Sequence, residues 1–253
     1  MQHLASDDSE RGTRRWLELI VHPRDVNVAA SCASPTRHAI ASAVATHAVD
    51  LLQLRATPDD SDADVRSAAR ALQRILSDAR PTTRCRLIVN HPSLDLTVAL
   101  GGNCGGWHLK EHAMLALAQT HSLADVLHSA RRSLGDNAVI GCSVHSVDSA
   151  LAAMQAAENG FDYLQVGTMF STPSHPEKRL AHQLEGPALI KAIREAATAT
   201  RVPMLIGVGG INTVEHIEEV LKAEADGVAM IRGLLGAEDP AAAARAYRAC
   251  LDG

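Results

Sequence analysis

The stretch MLIGVGGI, Met204 to Ile211, is a short apolar run that ends in clustered glycines; GVAMIRG, Gly227 to Gly233, repeats the arrangement after one helical pattern. Two such strands in a parallel sheet bring their glycine-rich loops to the same edge. There backbone N–H groups approach an anion without interference from a β-carbon, and a following helix adds its positive end. Barrels of alternating strands and helices hold phosphate groups after strands seven and eight, at the C-terminal face. The two runs therefore predict the last two strands of a (β/α)8 barrel with a phosphate site at Gly209 and Gly210.

The same alternation extends back to the start of the chain. Strand-like runs fall at 17–22, 50–55, 86–90, 106–109, 138–142 and 163–167. Helical patterns fall between them, at 36–47, 62–78, 93–100, 123–134, 147–159 and 186–198; those at 213–223 and 240–251 follow the last two strands. In 62–78 the apolar residues Val65, Ala69, Leu72, Ile75 and Leu76 recur at helical spacing. Short apolar strands separated by helices mean a parallel sheet covered on its outer face. Eight units in 253 residues favour a closed TIM barrel over an open sheet. Residues 1–15 lack an apolar core and read as a flexible arm; residues 16–253 read as one barrel domain.

Composition narrows the partners. Aromatic residues make up 2% of the chain and the net charge is -5, so base stacking and broad polyanion binding are not expected. No apolar stretch approaches the roughly 20 residues of a membrane span. Five scattered cysteines without a CxxC pair fit reduced thiols and a cytoplasmic location.

Functional side chains of such a barrel sit at the C-terminal ends of the strands. Those positions carry His22, Gln53, Arg55, Asn90, His91, His108, Lys110, Ser143, His145, Thr168, Asn212 and Arg232. Gln53 and Arg55 alternate with Leu52 and Leu54, so both face the barrel interior. A guanidinium there needs an anionic partner, either a bound phosphate or an internal carboxylate. The loop STPSHPEK after the sixth strand offers the Thr172 and Ser174 hydroxyls and the Lys178 cation to a phosphate. His145, with Ser143 beside it at the fifth strand's mouth, suits a general base. His108 to His112 matches the H-x-x-E-H zinc pattern, which needs a helix; here it begins in a strand and is set aside.

Seven segments together resemble one family: QLR at Gln53–Arg55, the strand ending at Asn90, GWHL at 106–109, GCSVHS at 141–146, DYLQVGTMFST at 162–172, GVGGI at 207–211 and DGVAMI at 226–231. Their order is that of thiamine phosphate synthase and its relative TenI. The resemblance implies the same barrel and a small phosphorylated heteroaromatic substrate, a thiazole phosphate near Gly209, Gly210, Ile231 and Arg232. It implies neither nucleic acid nor membrane as a partner, and it is compatible with a homo-oligomer.

Where the sequence departs from the family pattern, the reaction is at stake. The lysine of Q-x-R-x-K is Thr57, the aspartate after Asn90 is His91, and the acid of H-x-G-Q-E-D is Ala113. The lysine of the sixth-strand loop is His175, and the serine after the eighth strand is Arg232. Mg²⁺ is usually held by one or two carboxylates plus substrate phosphates, so Mg²⁺ is expected only if the chain is an active synthase. The leading expectation is a metal-independent, TenI-like thiazole tautomerase with His145 and Ser143 catalytic. The alternatives are a synthase that couples hydroxymethylpyrimidine diphosphate to thiazole phosphate, and a non-catalytic phosphate sensor.

Overall fold

The computed structural model describes residues 14–27, 34–79, 84–101, 104–156, 160–173, 177, 184–198 and 201–253. Eight parallel strands close on themselves in sequence order: β1 (Trp16–Val21), β2 (Leu51–Arg55), β3 (Arg86–Asn90), β4 (Gly106–Leu109), β5 (Val139–Val144), β6 (Tyr163–Val166), β7 (Met204–Val208) and β8 (Gly227–Met230). β1 closes the ring by pairing with both β2 and β8, for example Ile20 opposite Gln53 and Leu19 opposite Met230. No helix among the described residues is long and apolar enough to cross a membrane.

The outer layer comprises α1 (Pro23–Val26), α2 (Pro35–Val44), α3 (Asp62–Asp78), α4 (Leu94–Ala99), α5 (Glu111–Thr120), α6 (Leu123–Leu134), α7 (Val147–Met154), α8 (Gly186–Ala196), α9 (Val214–Lys222), α10 (Arg232–Leu235) and α11 (Pro240–Asp252). Helix starts are marked chemically. Ser34, Ser61, Ser93, Ser122, Ser146, Thr213 and Asp239 each accept a hydrogen bond from the amide three residues on. Such caps satisfy donors that the helix cannot satisfy itself, each worth about 1 kcal/mol.

Strand alternation sorts side chains into two cores. Leu17, Leu19, Val21, Leu52, Leu54, Leu87 and Val89 point outward into the helix layer, where Val65, Leu72 and Leu76 of α3 are buried. Ile20, Leu51, Ile88, Val139, Tyr163, Ile206 and Ala229 fill the barrel axis. Gly141 faces that axis, and a β-carbon there would lie 2.2 Å from the Tyr163 ring; its missing side chain makes room for the phenol.

The N-terminal face is pinned by a repeated device. Asp50, Asp162 and Asp226, each just before a strand, accept the amide of Leu17, Ile140 and Leu205 on the preceding strand of the ring. Each carboxylate also meets an arginine, Arg248, Arg131 and Arg194 respectively. The opposite face is thereby left to chemistry.

Three local expectations need correction. β5 runs through Val144, so Ser143 lies within the strand rather than after it. Residues 111–120 form α5, which the sequence reading left without an element; EHAMLALAQT buries only Met114 and has no clear apolar stripe. α10 starts directly after β8, too short to give a periodic signal. Residues 1–13 of the expected arm lie outside the described residues, while Arg14 bonds Asp50 and Arg15 bonds the Leu251 carbonyl.

Candidate active site

A cavity of about 310 Å³ opens at the C-terminal mouth. One wall is a cradle formed by the β7 and β8 loops. Gly209 and Gly210 adopt φ of +100° and +73°, a region that other residues enter only with strain. A β-carbon on Gly209 would sit 2.7 Å from Thr168 Cγ2, and one on Gly210 2.5 Å from the Phe170 carbonyl oxygen. The glycines allow the loop to lie against the β6 loop, where the Phe170 amide donates to the Gly209 carbonyl at 2.9 Å. α10 begins at Arg232, and the first amides of a helix have no carbonyl in a preceding turn. Arg232 Nη2 donates to Thr172 Oγ1 at 2.6 Å, so cation and hydroxyl flank the cradle together. Behind it the Tyr247 hydroxyl of α11 reaches the carbonyls of Asn212 (2.9 Å) and Gly233 (3.2 Å). That contact holds both loops and turns carbonyl oxygens toward the phenol.

His145 stands on the β5–β6 side. Its Nδ1 makes a short contact with the Gly167 carbonyl oxygen. A carbonyl only accepts, so Nδ1 carries a proton, and in the neutral ring Nε2 holds the lone pair. Glu185 lies 3.9 Å from Nδ1 and accepts the Thr168 amide at 2.5 Å. The His145 backbone amide donates to Glu111 Oε1 at 2.8 Å, which anchors the histidine to the start of α5.

Arg55 lines the cavity from β2. Among the described residues its guanidinium has no hydrogen-bond or ion-pair partner, and burial lowers its pKa. Lys110 nearby donates to the Ala56 carbonyl at 2.9 Å; burial, then the Arg55 charge, pushes its pKa down. His22 bonds the Arg55 carbonyl through Nδ1, and its pKa too is lowered, first by burial.

Beneath the cavity lies a polar network within the barrel. Glu18 is 0% exposed, and its two oxygens accept from Gln53 Nε2 (2.8 Å) and Gln165 Nε2 (2.7 Å). The Tyr163 hydroxyl lies in the same interior cluster and is bonded to His108. Burial pushes Glu18 up to about 7, against the pull of those two donors and the nearby Tyr163 hydroxyl. His108 Nδ1 lies 2.9 Å from the Tyr163 oxygen and Nε2 2.9 Å from Ser143 Oγ. Burial, then the charges of Arg55 and Lys110, push His108 down to about 3.

Of the residues singled out by sequence, Arg55, Ser143, His145, Thr172, Gly209, Gly210, Ile231 and Arg232 line one cavity. Gln53 and Asn90 are not among its lining residues. Gln53 is bonded to Glu18, and Asn90 Nδ2 donates to Gln53 Oε1 at 3.0 Å. Ser174 and Lys178 lie outside the described residues. Glu18, Tyr163, Gln165 and Tyr247 were missed. A glutamate inside the apolar run LELIV was a readable signal, because its alternation directs it to the axis.

Among the described residues no group of three His, Cys, Asp or Glu side chains could hold a metal ion. His91, at one family acid position, lies 3.9 Å from Asp62 and carries no carboxylate itself. Ala113, at the other, offers no ligand atom.

The family model of thiamine monophosphate synthase (TMP-TENI) matches residues 19–234. A thiamine-phosphate synthase from Roseiflexus sp. (strain RS-1) is 33% identical over 84% of this chain and 77% of its own length. One from Arthrobacter sp. (strain FB24) is 36% identical over 58% of this chain and 69% of its own. The solved thiamine phosphate pyrophosphorylase of Pyrococcus furiosus superposes with a TM-score of 0.62 at 22% identity, covering 94% of this chain and 95% of that one; this shows the shared fold. The chain belongs to the thiamine monophosphate synthase (TMP-TENI) family.

Proposed function

We propose that this member of the thiamine monophosphate synthase family binds a thiazole phosphate and interconverts its tautomers by metal-independent proton transfer. The carrying observation is His145. Its Nδ1 is tied to the Gly167 carbonyl, which leaves Nε2 as a base at the wall of a cavity that also contains the glycine cradle. The cradle, with Arg232 and Thr172, takes the phosphate through backbone donors and a charge-assisted contact. Arg55 holds a carboxylate on the ring. Nε2 removes a proton from one end of the conjugated system, the electron pair shifts along it, and a proton returns at the other end. No metal takes part in that sequence.

The synthase reading is favoured by the activity for which the relatives are named and by the Arg55–Lys110 pair, which would face a diphosphate. It lacks the two carboxylates such a site uses for Mg²⁺. The test supplies purified protein with carboxythiazole phosphate in one arm. The other arm holds hydroxymethylpyrimidine diphosphate and thiazole phosphate, with and without Mg²⁺. Tautomer conversion that is abolished in His145→Ala supports the proposal. Robust Mg²⁺-dependent thiamine phosphate formation without tautomer conversion overturns it, as does binding without either reaction, which marks a sensor.

A further inference from the structure

We propose that Glu185 is a positioning residue for His145, acting on the imidazole through the peptide group that joins Gly167 to Thr168. The inference rests on the proton-transfer reading above. His145 Nδ1 bonds the Gly167 carbonyl oxygen, and the amide of the next residue, Thr168, donates to Glu185 Oε2 at 2.5 Å. That carbonyl and that amide belong to one conjugated peptide group. A carboxylate on its N–H side shifts electron density toward its oxygen and makes that oxygen a stronger acceptor for Nδ1–H. The other carboxylate oxygen, Oε1, stands 3.9 Å from Nδ1 itself. That is too long for a hydrogen bond but within reach of an ion pair with a protonated ring.

The arrangement favours the state through which the reaction passes. When Nε2 takes a proton from the ligand, the ring becomes a cation. The Nδ1–H bond to Gly167 then gains charge assistance, and the separation from Oε1 becomes an ion pair. Both interactions are stronger in that state than in the resting one, which is the condition for lowering a barrier. One proton moves in this step: its bond to the ligand breaks, Nε2–H forms, Nδ1 keeps its own proton and Glu185 stays a carboxylate. The part is that of the third member of a catalytic triad, which holds the tautomer and stabilises the imidazolium. Here it is exerted across a peptide group.

The fold holds Glu185 to Thr168 at two points. Glu185 directly precedes α8, and the amide of Gly186, the first residue of that helix, donates to the Thr168 carbonyl at 3.1 Å. Adjacent residues thus take both the N–H and the C=O of Thr168, which fixes the start of α8 against the β6 loop. The Glu185 side chain is 16% exposed, so water screens its charge only in part. His145, Gly167 and Thr168 all line the cavity. Among the described residues, the other charged groups around His145 are Glu111 of α5, whose Oε1 accepts the His145 backbone amide, and Arg55 and Arg232, which line the same cavity. Glu111 meets the backbone, and the two arginines are placed for the anionic groups of the ligand.

The test compares the full-chain parent with Glu185→Gln. Glutamine keeps an oxygen for the Thr168 amide and removes only the charge, so the loop is spared. With carboxythiazole phosphate as substrate, Glu185→Gln should lower kcat about tenfold and leave KM within about twofold. A residue that merely shaped the loop would raise KM instead. Proton NMR supplies a second readout that needs no turnover. The Nδ1–H resonance of His145, assigned by its loss in His145→Ala, should lie far downfield in the parent. It should move upfield in Glu185→Gln as the bond to Gly167 weakens. A parental kcat in Glu185→Gln, a loss confined to KM, or an unmoved Nδ1–H resonance each overturns the proposal. A parent that turns over no substrate refutes the tautomerase reading instead. The link from Glu185 to His145 is then judged on the resonance alone: movement in Glu185→Gln sustains it, and an unchanged position overturns it.

Discussion

Replacing Glu18 by glutamine should change how stability depends on pH. In the folded chain burial raises this carboxyl from 4.5 to about 7, so the native state keeps a proton that the unfolded chain releases. The stability this group contributes is complete below 4.5 and is lost as pH rises toward 7. The interval from 4.5 to 7, at about 1.4 kcal/mol per pH unit, amounts to about 3 kcal/mol. Glutamine cannot ionise and escapes that loss. It carries its own cost, because an amide NH2 donates where one carboxyl oxygen accepted from Gln53 or Gln165, and one buried donor is left unmatched at about 1–3 kcal/mol. Glu18→Gln should therefore be less stable than the parent near pH 5 and should equal or exceed it near pH 8, the gap moving by about 2–3 kcal/mol. Urea denaturation at both pH values measures this directly. With a slope of about 2 kcal/mol per molar urea, the midpoint difference should move by about 1 M. Other titrations cancel between parent and variant. Parallel stability–pH curves would refute the assignment of a protonated Glu18 inside the barrel.

Gly210→Ala places a β-carbon 2.5 Å from the Phe170 carbonyl oxygen at a φ of +73°. Left-handed strain of about 1–2 kcal/mol plus that clash should weaken phosphate-ester binding at least about tenfold by calorimetry, and unchanged affinity would disprove the cradle. Tyr247→Phe removes the hydroxyl shared by the Asn212 and Gly233 carbonyls. It should cost about 1 kcal/mol in thermal unfolding and also weaken phosphate binding; a loss of stability with affinity intact would limit Tyr247 to packing. Arg55→Met removes a largely buried cation that has no partner among the described residues. The free protein should become more stable while binding of an anionic ligand weakens, and destabilisation would show that Arg55 serves the fold instead.

The strand-end reading of the sequence reached the cavity because a barrel converts sequence position into place. A residue at the C-terminal end of a strand points to the mouth whichever strand bears it. Arg55, His145 and Gly209 were found that way. Gln53 shows the limit of the method: it shares a face with Arg55, but one layer deeper that face belongs to Glu18. α5 escaped for another reason. Its residues alternate in a way that suits neither period, and its place is set by packing and by Glu111 holding the His145 amide.

The sequence by itself determined the barrel, the cradle at its last two strands and the family, because period-two strands, capped helices and left-handed glycines are local demands of the backbone. The tertiary structure decided which polar groups meet. Glu18 and Gln165 stand 147 residues apart and touch at 2.7 Å. Tyr163, His108 and Ser143 meet from β6, β4 and β5, while Glu18 of β1 meets Gln53 of β2 and Gln165 of β6. Burial makes these groups satisfy one another, the phenol and serine through His108 and the carboxyl through two glutamines, and Glu18 keeps its proton to a higher pH than its type alone would set.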